Sequence, residues 1–165
     1  MTQIYNRRAF LQQCEADYQE SIKESHPRSV LIMNVDYFKK VNDHYGHHIG
    51  DRFLEHVVEL CQQHLTQGEL FARYGGEEFV ISIKNCTHQN AEEIANRIRS
   101  YVGKTPLLTV EGEVSVTLIL GIAEATRQVG ETVSKLLNKA DKALYQAKAS
   151  GRNRVCIYRE ESELN

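Results

Sequence analysis

Apolar residues recur at helical spacing in five stretches of the chain, which predicts five helices. The predicted helices cover residues 10–26, 37–45, 50–67, 89–101 and 131–149. Proline and glycine stop helices, and Pro27, Gly46, Gly68 and Gly151 follow four of these stretches. Asp36 stands just before the second stretch, and we expect its side chain to cap that helix.

Shorter runs between the helices predict the strands of a sheet. Residues 29–35 are apolar apart from the ends and Asn34, as expected for a strand that is covered on both faces. Residues 70–74 and 79–83 are rich in aromatic and β-branched side chains and flank a Gly-Gly pair, which predicts a β-hairpin. Further strands are expected at 114–123 and 155–158. The order of elements predicts an α+β fold with a mostly antiparallel central sheet flanked by helices.

The tip of the predicted hairpin carries the most informative residues of the chain. Gly75 and Gly76 precede two carboxylates, Glu77 and Glu78. Glycine can adopt positive φ, and without a Cβ it lets a bulky anionic ligand approach the main chain. Adjacent carboxylates are ligands for a divalent cation. The tip therefore favours nucleotide phosphate chemistry, and a surface hairpin with solvated acids is the alternative that these four residues leave open.

Length and composition describe one ordinary globular domain. The chain has 165 residues, of which 41% are hydrophobic, and 20 lysines and arginines nearly balance 22 acidic residues. We therefore expect no polymeric nucleic acid as a partner. The four cysteines form no CxxC pair, which predicts free thiols in a reducing compartment, and no apolar stretch reaches the roughly 18 residues that span a bilayer. These features predict a cytoplasmic domain without direct membrane contact.

Two places offer positive charge to a phosphate group. The first is the junction between the first strand and the helix after it, where Tyr37, Phe38 and Lys39 combine free N–H groups with a lysine. The second is the end of the last helix, where Lys148 and Arg152 are one turn apart and can reach one anion. Without a ligand, these residues would be a solvated lysine and two charges that compensate the helix dipole.

Several motifs in the same order resemble the GGDEF domains, the diguanylate cyclases that join two GTP molecules into cyclic di-GMP. The sequence Arg-Tyr-Gly-Gly-Glu-Glu-Phe at 73–79 carries this resemblance most strongly, and further motifs occur at 6–10, 36–43, 45–51, 140–145 and 148–154. The resemblance implies a palm-like βαββαβ core of the kind found in nucleotidyl cyclases. It also implies GTP as the substrate and a homodimer, because each domain carries one GTP and the product contains two guanylates.

The resemblance also assigns roles to single residues. Glu77 and Glu78 match the catalytic acids, which also bind Mg²⁺ or Mn²⁺ together with the backbone carbonyl of Val35. Asn42 and Asp51 match the residues that read guanine, and a carboxylate can accept hydrogen bonds from the N1–H and 2-amino groups of guanine. A turn-stabilising asparagine and an aspartate early in a helix are the alternatives for this pair. The other matches are residues expected to bind the substrate: Tyr37, Phe38, Lys39, Gly75, Gly76, Lys148 and Arg152.

Asn34 departs from the family pattern. The family has aspartate at this strand position as a ligand of Mg²⁺, and asparagine keeps an oxygen but lacks the charge. Because Mg²⁺ binds through few carboxylates, we expect Asn34 to weaken metal binding and to reduce or abolish turnover. Asp36 lies on the same face of the strand, where a carboxylate would compensate in part, but we expect Asp36 to cap the following helix instead. A catalytically impaired GTP-binding regulatory module is therefore the alternative to an active cyclase.

We interpret residues 1–165 as a single GGDEF domain that begins inside the opening motif of the family. Upstream sensor or membrane segments are usual in that family. The resemblance therefore implies a fragment of a longer sensor protein, with the sensory domain missing and any membrane anchor elsewhere.

Overall fold

The computed structural model describes residues 4–66 and 69–160. The helices of these ranges are α1 (Arg7–Glu24), α2 (Phe38–Tyr45), α3 (His47–Gln62), α4 (His88–Lys104) and α5 (Val133–Ala149). The strands are β1 (Arg28–Val35), β2 (Leu70–Gly75), β3 (Glu78–Lys84), β4 (Leu107–Thr109), β5 (Gly112–Val114), β6 (Leu118–Glu124) and β7 (Val155–Ile157). The five predicted helices and the predicted hairpin are thus confirmed.

The buried strand β1 is the centre of a five-stranded sheet. The strand order is β2-β3-β1-β6-β7, in which β1 runs antiparallel to β3 and β6, and β7 runs parallel to β6. Every residue of β1 is buried except Asn34, which is partly exposed. Helices cover both faces of the strand, which explains its continuous apolar sequence. The predicted α+β fold with a mostly antiparallel sheet is confirmed.

Alternate side chains of β1 enter two separate cores. Leu31 and Met33 pack into the core that contains apolar residues of α3 and α4. Val30 and Ile32 pack into the core that contains apolar residues of α1 and α5. A shift of β1 by one residue would move each set of side chains from its own core into the other. The two layers of helices therefore fix the register of the strand.

The strand that the sequence predicts over 114–123 is two strands. Val114 ends β5, which pairs with β4 in a separate hairpin, and β6 begins at Leu118. The residues between them are polar or only partly buried, so the chain leaves one sheet before it joins the other. The apolar pattern around this break looks continuous in the sequence, which is why the prediction was wrong.

The third helix begins and ends earlier than predicted. It starts at His47 instead of near Gly50, because Gly46, with φ of 88°, separates α2 from α3. It ends at Gln62, well before Gly68, a residue that lies outside the described ranges. Gly50 is therefore a buried residue in the first turn of α3.

A glycine cap ends α5 as predicted. Gly151 has φ of 121°, and its N–H donates to the carbonyl oxygen of Lys148 at 3.4 Å. The N–H of Arg152 donates to the carbonyl oxygen of Ala147 at 3.0 Å. These two bonds form a Schellman motif, which reverses the chain and turns Arg152 away from the helix axis.

All four cysteines are free, and three of them are buried, as the sequence predicts. Within residues 4–66 and 69–160, no helix combines the length and the apolar character that a membrane crossing requires.

Gly121 in β6 lies directly against the main chain of α5, so a larger residue at this position tests how closely the helix packs on the sheet. A Cβ at this position would collide with the carbonyl oxygen of Ala140 and the amide nitrogen of Leu144, both main-chain atoms of α5. We expect Gly121→Ala to lower the free energy of unfolding by about 2–3 kcal/mol, because backbone must move to admit one methyl group. Urea denaturation measures this change.

The matched control is Gly103→Ala in α4, where a Cβ meets no atom within 4 Å. Alanine is the better helix former, so this variant should be about 0.5–1 kcal/mol more stable than the natural chain. Similar changes in both variants would contradict the close packing of α5 on β6.

Candidate active site

The pairing of β1 with β3 brings the predicted catalytic and metal-binding residues to one end of the sheet. Asn34 in β1 lies directly opposite Glu78 in β3. The N–H of Val35 donates to the carbonyl oxygen of Glu77, with 3.2 Å between nitrogen and oxygen. Residues that are directly opposite in an antiparallel pair lie side by side, so the strands hold the side chains of Asn34 and Glu78 together. The main chain of Glu77 is attached to Val35 beside them.

The tip of the β2–β3 hairpin is held by Arg73. Its guanidinium donates to the carbonyl oxygen of Gly76 from Nε at 2.9 Å and from Nη2 at 2.6 Å. Neither Gly75 nor Gly76 uses the positive φ that glycine allows, because a register shift between Arg73 and Gly75 produces the turn. A Cβ on either glycine would meet no atom within 4 Å, so the main chain at the tip is open to a ligand, as predicted.

Lys148, in the last turn of α5, reaches the side chain of Asn34. With the amide turned so that both neighbours are satisfied, Asn34 Oδ1 accepts from Lys148 Nζ at 2.8 Å. In the same orientation, Asn34 Nδ2 donates to Glu78 Oε2 at 3.3 Å. These contacts link an ammonium to a carboxylate through a neutral amide, and we call them the Lys148–Asn34–Glu78 chain.

Asp36 does not cap α2, contrary to the sequence prediction. Its side chain is buried, with Oδ1 accepting from Arg152 Nη1 at 2.9 Å and Oδ2 accepting from Thr117 Oγ1 at 3.0 Å. Tyr37 is the residue at the start of α2, in the left-handed conformation with φ of 56°, and makes no side-chain cap. Since both oxygens of Asp36 have other partners, this carboxylate does not compensate for Asn34 either.

Arg152 lies beyond the end of α5, in the turn that follows Gly151. The spacing of one helical turn that the sequence predicts between Lys148 and Arg152 therefore does not hold. Both cations still reach the end of β1, because Lys148 contacts Asn34 and Arg152 pairs with Asp36. The guanidinium carbon of Arg152 also lies 4.8 Å from the centre of the Tyr37 ring.

The two residues predicted to read guanine lie on the adjoining helices α2 and α3. A Cβ on Gly50 would collide with Asn42 Oδ1 and would lie 3.2 Å from Cζ of Phe38, so these three residues pack tightly. Among the described residues, the buried Asn42 Oδ1 has no hydrogen-bond partner. Asp51 follows Gly50 directly and is exposed. The close packing against Gly50 leaves the Asn42 Oδ1 atom covered.

A cleft of about 560 Å³ lies between α3 and the hairpin. Asp51, Gly75 and Gly76 are among its lining residues, whereas Asn42 and Lys148 are not. Lys39 is exposed in the first turn of α2. Eight of the predicted site residues therefore form three groups: Asp51 with the two glycines of the hairpin tip, Asn34 with Glu78 and Lys148, and Arg152 with Tyr37.

Two charged residues near Glu78 were not predicted as site residues. Burial raises the pKa of Glu78, the negative charges of Asp141 and Glu77 raise it further, and Lys148 and Arg7 act in the opposite direction. Arg7, Glu78 and Asp141 line a cavity of about 370 Å³. Arg7 and Asp141 stand inside motifs that the sequence analysis noted, but no local signal connects them with Glu78.

Residues 1–154 match the family described as "Diguanylate cyclase, GGDEF domain". The chain belongs to the GGDEF family. The solved structure of the active GGEEF domain of a diguanylate cyclase from Vibrio cholerae is similar to this GGDEF domain with a TM-score of 0.90 and 31% identity, over 96% of this chain and 100% of that chain.

Two curated relatives are longer than this GGDEF domain. YhcK of Bacillus subtilis, described as uncharacterized, is 42% identical over 159 residues, which are 95% of this chain and 44% of that protein. The response regulator PleD of Caulobacter vibrioides is 38% identical over 157 residues, which are 94% of this chain and 34% of that protein. The chain thus spans less than half the length of either relative.

The side chains around Asn34, as they stand, do not fit a resident divalent cation. The amide oxygen of Asn34 faces the Lys148 ammonium, and the amide nitrogen faces Glu78. In residues 4–66 and 69–160, no group of three histidine, cysteine, aspartate or glutamate side chains is arranged to hold a metal ion. A positive charge at hydrogen-bonding distance from a ligand opposes the entry of Mg²⁺.

The ion pair between Asp36 and Arg152 supports one prediction about stability. Asp36→Asn keeps the shape of the side chain but removes the charge from a group that is 1% exposed. We expect the free energy of unfolding to fall by about 1–3 kcal/mol, because the bond from Arg152 loses its ionic acceptor. The control is Asp43→Asn at an exposed position of α2, with an expected change below about 0.5 kcal/mol. Equal stabilities of the two variants in urea would contradict the role of the pair.

Proposed function

We propose that this GGDEF domain binds GTP and, as a homodimer, condenses two GTP molecules into cyclic di-GMP and pyrophosphate, at a rate that Asn34 reduces. The main support is the exposed carboxylate of Asp51, which lines a cleft of about 560 Å³ together with Gly75 and Gly76. Membership of the family adds the reaction class. The carboxylate of Asp51 suits the N1–H and 2-amino donors of guanine, and the cleft beside it gives the base a place to lie.

The triphosphate of GTP would extend from this cleft past the hairpin tip to the end of β1. The open main chain at Gly75 and Gly76 allows close approach of phosphate oxygens. Lys39, Lys148 and Arg152 would then supply the positive charge. Arg152 would have to share its guanidinium between Asp36 and the ligand.

Two condensations form the ring: in each, the 3′-oxygen of one GTP bonds to the α-phosphorus of the other, and one pyrophosphate leaves. The hydroxyl proton must pass to a base, and Glu77 and Glu78 are the carboxylates at the hairpin tip. The raised pKa of Glu78 makes its carboxylate a better proton acceptor than an exposed glutamate. One GTP site in each chain means that two domains must face each other, which brings the reacting groups together.

We propose a Mg²⁺ or Mn²⁺ cofactor for the turnover step only, not for the binding of GTP. Asn34, the carbonyl oxygen of Val35, Glu77 and Glu78 would supply the ligands, and such an ion would neutralise phosphate charge. Lys148 would first have to leave Asn34.

A second candidate function is a regulatory module that binds GTP without turnover. The Lys148–Asn34–Glu78 chain favours it, because this arrangement satisfies the end of β1 without the metal that the family reaction uses. We also propose, from the family resemblance, that the domain works in the cytoplasm behind an upstream sensory domain. The greater length of the two relatives is consistent with a further domain.

The base-reading pair predicts a preference for GTP over ATP. Asp51→Ala should weaken GTP binding about tenfold and leave ATP binding nearly unchanged, because the lost acceptor serves groups that adenine lacks. Glu59→Ala removes an exposed carboxylate elsewhere on the same helix and should change neither affinity. Calorimetric titration with both nucleotides measures the preference. Equal affinities of the natural chain for GTP and ATP would contradict the assignment of Asn42 and Asp51.

Asn34→Asp should raise cyclase activity by about 10²-fold or more, because a lost charged ligand is worth several kcal/mol in the transition state and each 1.4 kcal/mol is about tenfold. The assay is cyclic di-GMP formation at saturating GTP, over a series of Mg²⁺ and Mn²⁺ concentrations.

In both proteins the rate should rise faster than linearly with protein concentration, as a dimer reaction requires.

Equal rates for the natural chain and Asn34→Asp would show that another group replaces the missing ligand. No cyclic di-GMP from either protein, although both bind GTP, would favour the regulatory module.

A further inference from the structure

The Lys148–Asn34–Glu78 chain is neutral overall, because the positive charge of Lys148 offsets the negative charge of Glu78. An aspartate at position 34, as in the family pattern, would stand directly opposite Glu78. Like charges directly opposite each other destabilise a sheet unless a cation lies between them. Asparagine removes this repulsion, because its amide donates to Glu78 and accepts from Lys148. Glu78 thus gains a hydrogen-bond donor and a nearby positive charge without a metal ion.

The other charges at this end of the sheet do not restore a metal site. Asp36, the acid that follows β1, accepts hydrogen bonds from Arg152 and Thr117. Near Glu78, the negative charges of Glu77 and Asp141 face the positive charge of Arg7 in addition to that of Lys148, so two cations lie near three acids. The protein therefore supplies its own cations where the family pattern calls for a divalent ion.

We propose that the ammonium of Lys148 takes the place of a divalent cation in this site, so that the domain binds GTP without Mg²⁺ or Mn²⁺. This inference rests on the proposed function, since it concerns how the same site holds its nucleotide. An ammonium has three protons to donate. One is directed to Asn34 at 2.8 Å, and the other two are available to phosphate oxygens.

Calorimetric titration with GTP, in excess EDTA and in excess Mg²⁺, tests the proposal. For the natural chain, the two dissociation constants should agree within about threefold. Asn34→Asp restores the pair of acids, so its affinity in EDTA should be about tenfold or more below its affinity in Mg²⁺. The control is Asn85→Asp, which adds the same charge at the exposed turn beyond the far end of β3 and should behave as the natural chain.

The variant Lys148→Gln distinguishes two roles of Lys148: a built-in cation that replaces the divalent ion, and a simple contact with a phosphate group. Loss of the built-in cation should weaken GTP binding strongly in EDTA and much less in Mg²⁺, because a divalent ion can then enter beside Glu78. Loss of a phosphate contact alone would weaken binding equally in both conditions, which would overturn the proposal. Lys142→Gln, exposed on the same helix, is the matched control and should bind GTP as the natural chain does.

A second readout needs no nucleotide. Adding MgCl₂ should raise the melting temperature of Asn34→Asp but leave that of the natural chain and Asn85→Asp unchanged, because only the pair of acids gains from a cation. Binding of GTP by the natural chain in Mg²⁺ and not in EDTA would overturn this inference and leave the proposed function standing. Absence of GTP binding in both conditions would overturn the proposed function and the inference with it.

Discussion

The cross-strand pair of Asn34 and Glu78 constrains everything else at this site. The two side chains are directly opposite each other, and two helical layers fix the register of their strands, so they cannot move apart. Whatever residue occupies position 34 must satisfy a glutamate beside it. Aspartate can do so only with a cation between the two acids, whereas asparagine donates a hydrogen bond itself and accepts one from Lys148.

Consecutive residues at the end of β1 connect three other parts of the fold. Asn34 contacts β3 and α5, Val35 bonds to the hairpin, and Asp36 pairs with the turn after α5. The position of α5 is fixed in turn by close packing at Gly121 and by the Schellman motif at Gly151. Groups held by several elements at once are preorganised, so a ligand meets them without a large conformational cost.

Local patterns explain which parts of the structure the sequence could predict. The Gly-Gly hairpin, the buried strand before Asn34 and the apolar stripes of the helices each depend on residues close together in the chain. The partners of Asp36 do not, since Thr117 and Arg152 are 81 and 116 positions away. An aspartate just before a helix is usually predicted to cap it. Asp36 instead forms an ion pair with a residue that is distant in the sequence. The contact between Lys148 and Asn34 was missed for the same reason, although both residues were singled out.

The most direct test of this account is a crystal structure of the natural chain with GTP and Mn²⁺, with anomalous diffraction data to locate manganese. Our account predicts no manganese peak between Asn34 and Glu78, and it places Lys148 Nζ between Asn34 Oδ1 and the phosphate oxygens. A manganese ion bound to the Asn34 oxygen, with Lys148 displaced, would contradict the claim that an ammonium has replaced the divalent cation.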